Sequence, residues 1–213
     1  VQEITNLAIE GIRKFPVGSE LYVRPALFAE GGFLIPDPDD VCFVMAVFEA
    51  PMPAANGFSA CLSSYRRPNP DMAPTEAKAA CLYPASSLAI AEANKKGFEN
   101  AIMRDGVDNV VEFASSNLWL VKDGEVVTPA HNHTFLNGIT RQRVISLLGE
   151  AGIEVRERNI KYSEVIAADE VFSTGNLGKV LPVTRVGDHH FQVGPVCSKA
   201  REVYFSYAAC SRV

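Results

Sequence analysis

The chain has 213 residues, of which 47% are hydrophobic and 21% charged, so its composition is that of a globular protein. A formal net charge of −5 argues against nucleic acid or an anionic membrane as the main partner. No apolar run approaches the ~20 residues that span a bilayer. The five scattered cysteines form no Cys-x-x-Cys pair, which predicts reduced thiols and a cytoplasmic location.

The first fifty residues predict one helix and two strands. Apolar residues between Ile4 and Phe15 recur at steps of three and four, which is the spacing of one helical face. This helix starts at Val1 without a cap or an initiating methionine, so we expect the chain to be a fragment that lacks upstream residues. Strands are expected at 20–28 and 41–48.

The segment 51–57 is small and rich in proline, and it predicts a linker between two domains. We assign 1–50 to the C-terminal part of a small domain and 58–213 to a large one. In the large domain helices alternate with strands and a hairpin, which predicts a mixed α/β or α+β fold. Strands are expected at 58–65, 118–121, 126–128, 153–158, 170–173 and 181–186, and helices at 84–96, 140–151, a short one from 163, and 198–209.

Lys78 is unusual in this chain because alanines flank it on both sides, five residues before Tyr83. A lysine in small, apolar surroundings loses hydration, and under that condition it becomes a nucleophile or a Schiff-base partner. An ordinary surface lysine on a loop is the alternative, and this window alone favours it.

A second candidate is Glu112, which interrupts the apolar run 109–117. A carboxylate there is costly unless a cation or a hydrogen-bond donor meets it. The alternative is a glutamate on an edge strand that faces water, since the two faces of a strand alternate.

Two turns are candidates for binding an anion. Gly138 precedes a predicted helix whose first N–H groups, at Ile139 and Thr140, suit a phosphate, although Thr140 is also a possible helix cap. The turn 173–178 carries hydroxyls, an amide and glycines that suit a second phosphate or carboxylate, although a plain turn is the simpler interpretation.

Taken in order, these motifs resemble the class IV (fold type IV) pyridoxal-phosphate aminotransferases, and most closely the branched-chain amino-acid aminotransferases. The resemblance runs through nearly the whole chain. It implies the two-domain fold of the D-amino-acid aminotransferases, pyridoxal 5'-phosphate as cofactor, and a homodimer or higher homo-oligomer. It also implies that the N-terminal part of the small domain, with a phosphate-binding arginine, is missing from this chain. The motifs are Ala77-Lys78 with Tyr83, Glu112 with Asn117, Leu136-Asn-Gly-Ile-Thr-Arg141, and Ala168-Asp-Glu-Val-Phe-Ser-Thr-Gly175.

By this resemblance Lys78 forms the internal aldimine and moves the proton between the substrate α-carbon and the cofactor. Tyr83 hydrogen-bonds the phenolic oxygen of the cofactor, and Glu112 keeps its pyridine nitrogen protonated. Arg67 stands where the family has a basic residue near the cofactor.

The resemblance also implies which residues bind the cofactor phosphate and the substrate carboxylate. The segment Gly138, Ile139 and Thr140 binds the cofactor phosphate through backbone N–H groups. Asn176 replaces a family threonine that touches the phosphate, and the N–H groups of Asn176 and Leu177 face the substrate carboxylate.

The substrate is implied by Tyr22-Val-Arg24-Pro, which resembles the Tyr-x-Arg-Pro of the branched-chain enzymes. There Tyr22 and Arg24 shape the substrate side of the pocket. The expected reaction moves an amino group from a branched-chain or similar L-amino acid to 2-oxoglutarate, as in branched-chain amino acid biosynthesis.

Two departures from the family pattern keep alternatives open. Ser116 replaces a glutamate, and residues 80–82 replace Gly-Gly-Asn. A D-amino-acid aminotransferase, an aminodeoxychorismate lyase, or a cofactor-binding but catalytically silent relative remains possible on the sequence.

Four histidines and one cysteine complete the candidates. His131 and His133 have no third ligand nearby in sequence, so we expect a polar loop and no metal site. His189 and His190 are expected in a turn. Cys81 is expected to be a buried, inert thiol rather than a group near the cofactor.

Overall fold

A computed structural model describes residues 1–32 and 34–210, and it divides the chain into two compact units, 1–53 and 54–213. The division falls inside the segment 51–57 that the sequence suggested as a linker. Among the described residues, no helix is both long and apolar enough to cross a membrane.

The first unit consists of helix α1 (Gln2–Ile12) and a two-stranded antiparallel sheet. Strand β1 (Leu21–Ala29) pairs with β2 (Val41–Glu49) over nine residues, from Leu21 opposite Glu49 to Ala29 opposite Val41. Residues i and i+2 of a strand share one face, so Tyr22 and Arg24 lie on the same side of this sheet. The described side chains of these elements are all exposed or only partly buried.

The second unit is built on a mixed nine-stranded sheet. Its strands are β3 (Phe58–Arg66), β4 (Asn100–Arg104), β5 (Val110–Phe113), β6 (Asn117–Lys122), β7 (Glu125–Pro129), β8 (Val155–Arg158), β9 (Glu170–Gly175), β10 (Lys179–Val186) and β11 (His189–His190). The main path runs β11-β10-β3-β4-β5-β6-β7-β8, and β9 bridges β10 and β6.

Helices connect two of the parallel strand pairs of this sheet. Its helices are α2 (Tyr83–Lys95), α3 (Ile139–Glu150), α4 (Tyr162–Ile166) and α5 (Pro195–Cys210). A parallel pair requires a crossover, and α2 provides it between β3 and β4, as α3 does between β7 and β8. The core includes the stacked rings of Trp119 and Phe172, whose centroids are 5.3 Å apart, and Phe58 edge-on to Phe113.

The expected mixed α/β class is confirmed, and two elements differ from the expectations. Strand β4 was not expected, because its sequence Asn-Ala-Ile-Met-Arg is short and polar at both ends. His189 and His190 were expected in a turn, but they form a short strand that pairs with Arg185 and Val186 of β10. The turn lies just before them, where Gly187 has a φ of 57°.

Candidate active site

Lys78 lies in the crossover loop between β3 and α2, two residues before a short 3-10 turn at Ala80–Leu82. The loop is held by local turns, such as the Ala77 N–H that donates to Pro74 O over 3.0 Å. The Lys78 side chain is exposed. The expectation of dehydrated, apolar surroundings is therefore wrong for this chain, because the flanking alanines lie on a surface loop and do not cover the lysine.

Glu112 lies in β5, between β4 and β6, where it pairs with Met103 and Asn117. Only 7% of its surface is exposed. The alternative of an edge-strand glutamate facing water is therefore excluded. Its partner is Arg67, 6% exposed, whose Nε lies 3.1 Å from Glu112 Oε1.

Burial raises the pKa of Glu112 to about 7, while the positive charges of Arg67 and then Lys78 lower it. The 3.1 Å ion pair alone would favour the carboxylate, so burial and pairing oppose each other. Burial is the larger of the two effects on this pKa. Arg67 is itself held by its Nε, 3.2 Å from Thr134 O, and by one terminal nitrogen, 3.3 Å from Ser86 Oγ. The effect of Lys78 on this carboxyl group means that the two side chains lie within electrostatic reach of each other.

The N-terminus of α3 is open to solvent. Gly138 precedes the helix and offers no side-chain cap, and Ile139 is 86% exposed. Thr140 lies within the first turn, so the alternative that it caps the helix is excluded. The first N–H groups of a helix and its dipole together favour an anion at such an end.

Asn117 is paired with Glu112 in the sheet and also contacts the N-terminus of α3. Its Nδ2 donates to Leu136 O over 2.9 Å, and a Cβ atom built on Gly138 would overlap Asn117 Oδ1. Glycine at 138 is therefore required for the helix end to approach β6 this closely. Sequence reasoning noted Asn117 only as part of a motif and missed this packing role.

Arg141 holds the same end of α3 through hydrogen bonds, and only 1% of its surface is exposed. It donates to Pro129 O over 2.7 Å, to Glu157 over 2.6 Å and to Asn137 Oδ1 over 2.8 Å. Sequence reasoning gave this arginine no role. An arginine in the first turn of a helix, after a turn whose oxygen atoms can accept hydrogen bonds, is the sequence signal that could have indicated such a role.

The turn after β9 lies beside the start of β6. Asn117 is opposite Thr174, and Gly175 packs against Ser116, whose Cβ would be 3.2 Å from a Cβ at 175. Asn176 and Leu177 are exposed at the tip. Lys179 donates to Asn176 Oδ1 over 2.8 Å, which turns the Nδ2 donor of that amide away from the lysine.

The remaining predicted residues are more exposed. Tyr83 is the first residue of α2 and is 47% exposed. In the first unit, Tyr22 stacks on Phe48 with ring centroids 5.5 Å apart. The expectation of a buried thiol at Cys81 is wrong, since this residue is exposed in the 3-10 turn before α2.

One cluster of side chains near Lys78 was not predicted, because its members are far apart in the sequence. His133 Nδ1 lies 2.7 Å from Glu76 Oε1, and the rings of His131 and His133 are 4.8 Å apart. The two histidines have no third ligand nearby in sequence, but the fold brings the Glu76 carboxylate to them. Glu76 is 57 residues away in sequence, and only the contact between two loops brings it close.

A lysine, a buried carboxylate and an open helix N-terminus on a mixed sheet define an enzyme-like site for an anionic group. Residues 1–186 match the model of the amino-transferase class IV family, so the chain belongs to that family. The resemblance inferred from the motifs is thereby confirmed, and with it the fold.

Named relatives agree with this assignment. A probable branched-chain-amino-acid aminotransferase of Aquifex aeolicus is 33% identical over 96% of the chain and 68% of its own length. The crystal structure of a Brucella abortus aminotransferase bound to the co-factor PLP matches 98% of the chain and 76% of that protein, with a TM-score of 0.96 and 42% identity. A branched-chain aminotransferase of Thermoproteus uzoniensis, solved with norvaline, matches 96% and 70% with a TM-score of 0.89 and 30% identity.

Proposed function

We propose that the chain is part of a pyridoxal-phosphate-dependent aminotransferase that moves an amino group from a branched-chain or similar L-amino acid to 2-oxoglutarate. The observation that carries the proposal is the buried Glu112 carboxyl group, whose Oε1 lies 3.1 Å from Arg67 Nε and whose pKa the charge of Lys78 also lowers. The cofactor of the Brucella abortus relative and the names of the branched-chain relatives support the same conclusion.

The residues present fit pyridoxal phosphate. Glu112 uses one oxygen in the Arg67 pair, so its other oxygen remains to accept a bond from a ring N–H. Burial raises the pKa of Glu112 to about 7, and a protonated pyridine nitrogen would be a further cation that favours its carboxylate form. Beside it, α3 begins after Gly138 without a side-chain cap, so its first backbone N–H groups are available to an anion.

When bound, pyridoxal phosphate supplies an aromatic ring that draws electrons away from the substrate α-carbon. Lys78 would hold it covalently through Nζ and would then, as a free amine, take and return the α-carbon proton. Glu112 would keep a proton on the ring nitrogen, which maintains this electron withdrawal. Tyr83 would donate its hydroxyl hydrogen to the phenolic oxygen.

The cofactor phosphate and the substrate carboxylate would bind to backbone N–H groups and to a side-chain amide. The N–H groups of Ile139 and Thr140 would hold the cofactor phosphate at the N-terminus of α3. Asn176 would add its Nδ2 donor, since Lys179 already occupies its oxygen. The N–H groups of Asn176 and Leu177 would face the substrate carboxylate.

The branched-chain substrate is supported by two independent lines. Tyr22 and Arg24 share one face of β1, as side chains that shape one wall of a pocket must. The relatives carry branched-chain names, which disfavours the D-specific aminotransferase and the lyase.

We further propose the assignment of 1–50 to the small domain, 51–57 to the linker and 58–213 to the large, cofactor-binding domain. The assembly proposed is a homodimer or higher homo-oligomer in the cytoplasm. Exposed apolar side chains that share one face of the β1–β2 sheet, Phe28, Val44 and Phe48, support burial of this face in a larger assembly.

The test is a half-reaction on protein loaded with pyridoxal phosphate. We expect L-leucine to bleach its visible absorbance and 2-oxoglutarate to restore it. D-alanine and aminodeoxychorismate should leave it unchanged. Bleaching by D-alanine but not by L-leucine would overturn the substrate assignment, and binding without any bleaching would indicate the catalytically silent relative.

A further inference from the structure

We propose that Glu76, His131 and His133 form a binding site for a divalent transition metal of the Zn²⁺ class. Each of the three offers one ligand atom, and these atoms lie within 4.8 Å of one another. Two imidazoles and a carboxylate are a donor set that zinc accepts, with water completing a tetrahedral site. The inference does not rest on the proposed function, since none of the three residues belongs to the proposed catalytic set.

His131 is already oriented as a ligand. Its Nε2 lies 2.9 Å from Phe135 O, and because a carbonyl only accepts, this nitrogen carries the hydrogen. The lone pair is therefore on Nδ1. Metal-binding histidines typically donate their second ring N–H to a backbone carbonyl in this way, which fixes the tautomer and the ring orientation.

His133 is positioned at some conformational cost. Its φ of 64° lies in the left-handed region, which few residues other than glycine adopt. Its carbonyl accepts the hydroxyl hydrogen of Thr75, which ties the two loops together. Local strain in a non-glycine residue persists only where surrounding contacts impose it, and it often marks a functional position.

Glu76 completes the site from the other loop. Its Oε1 lies 2.7 Å from His133 Nδ1. A divalent cation would replace this direct contact by binding both groups. His131 is partly buried while Glu76 and His133 are exposed, so an ion from solvent can reach the three side chains.

The consequence concerns the lysine loop, since Glu76 precedes Lys78 by two residues. A metal at this site would cross-link the loop that carries Lys78 to the loop 131–135. We therefore expect added Zn²⁺ to raise the melting temperature of the protein and to lower the mobility of the Lys78 loop.

The experiment is a calorimetric titration of the cofactor-loaded protein with zinc chloride, after removal of bound metal. We expect one ion per chain, with affinity lowered at least about tenfold in each of E76Q, H131N and H133G, since each removes one ligand. H133G is the most informative variant, because glycine accepts a φ of 64° without strain and so keeps the fold. The matched control is the double variant H189N/H190N, which removes the other two histidines and should bind normally.

Three results would overturn the proposal. These are the absence of binding below about millimolar zinc, binding that survives both H131N and H133G, and binding lost in the H189N/H190N control. Binding that survives the histidine variants would place the ion elsewhere, for example on the exposed thiols of Cys81 and Cys210. None of these results bears on the aminotransferase assignment, which the half-reaction tests separately.

Discussion

Lys78 and Tyr83 lie on the exposed connection from β3 to α2, whereas Glu112, Arg67 and Asn117 lie in or against the buried sheet. We call these the lysine side and the anchor side of the site. The lysine side is held by local turns and by contacts of Thr75 and Glu76 with His133, and the anchor side by neighbouring strands and an ion pair. Substitutions on the lysine side should therefore lower activity and leave stability unchanged, whereas those on the anchor side should lower both.

The largest effect is expected for Lys78→Ala. Without the amine that holds the cofactor and moves the proton, kcat should fall at least about 1,000-fold. The melting temperature of the unliganded protein should remain unchanged, because exposed side chains contribute little to stability. The matched control is Lys95→Ala, an exposed lysine at the end of α2, which should leave turnover unaltered. Loss of folding in Lys78→Ala would break the comparison.

Glu112→Gln is the corresponding change on the anchor side. A neutral amide cannot keep the ring nitrogen protonated, so kcat should fall about 100-fold. Steady-state rates of the cofactor-loaded variant test this, with the exposed Glu150→Gln as control. Normal turnover in Glu112→Gln would show that the buried carboxyl group takes no part in the reaction.

The same residue predicts a pH dependence of stability in the unliganded protein. Glu112 has an ordinary pKa of 4.5 and a folded-state pKa of about 7, so between these values the folded state binds more protons than the unfolded state. The free energy of unfolding should therefore fall by ~3 kcal/mol as the pH rises from about 4.5 to 7. Urea denaturation at several pH values tests this. The Gln variant should lack the Glu112 contribution, and an identical pH trend in both proteins would contradict the account.

Gly138→Ala tests the contact that holds the helix end against β6. The added methyl group would overlap Asn117 Oδ1, so we expect a loss of about 1–3 kcal/mol in the free energy of unfolding, and weaker cofactor binding. The control is Gly149→Ala in the same helix, where a Cβ meets no atom within 4 Å. That change should stabilise the protein by about 0.5–1 kcal/mol. Equal effects at the two positions would remove the role given to Asn117.

Lys179→Met should have the smallest effect. Without the ammonium group on its oxygen, the Asn176 amide is free to rotate, and cofactor affinity should fall less than about tenfold. Fluorescence titration with pyridoxal phosphate measures this. A loss as large as that of Gly138→Ala would show that the lysine itself contacts the phosphate.

Local patterns indicated much of the fold. Asp123-Gly124 indicated the β6–β7 hairpin, and both residues have the positive φ that such turns need, 49° and 81°. Proline near its start and glycine after its end indicated α2, which spans Tyr83–Lys95. Strand β4 was missed because a short central strand with polar ends carries no alternation that distinguishes it from a loop.

The site was harder to predict, because its contacts join distant segments. Arg67 and Glu112 are 45 residues apart, and neither residue type indicates the other as its partner. Glu76 meets His133 only because two loops are tied together by Thr75. The exposure of Lys78 agrees with the alternative of a surface loop, since apolar neighbours in sequence do not fix whether a loop is covered.

The most direct test of the central claim is to locate the cofactor attachment. The protein loaded with pyridoxal phosphate would be reduced with sodium borohydride, digested, and mapped by mass spectrometry. The account predicts one phosphopyridoxyl group per chain, on Lys78, and none in Lys78→Ala. Labelling of another lysine at the same stoichiometry, or labelling that persists in Lys78→Ala, would contradict it.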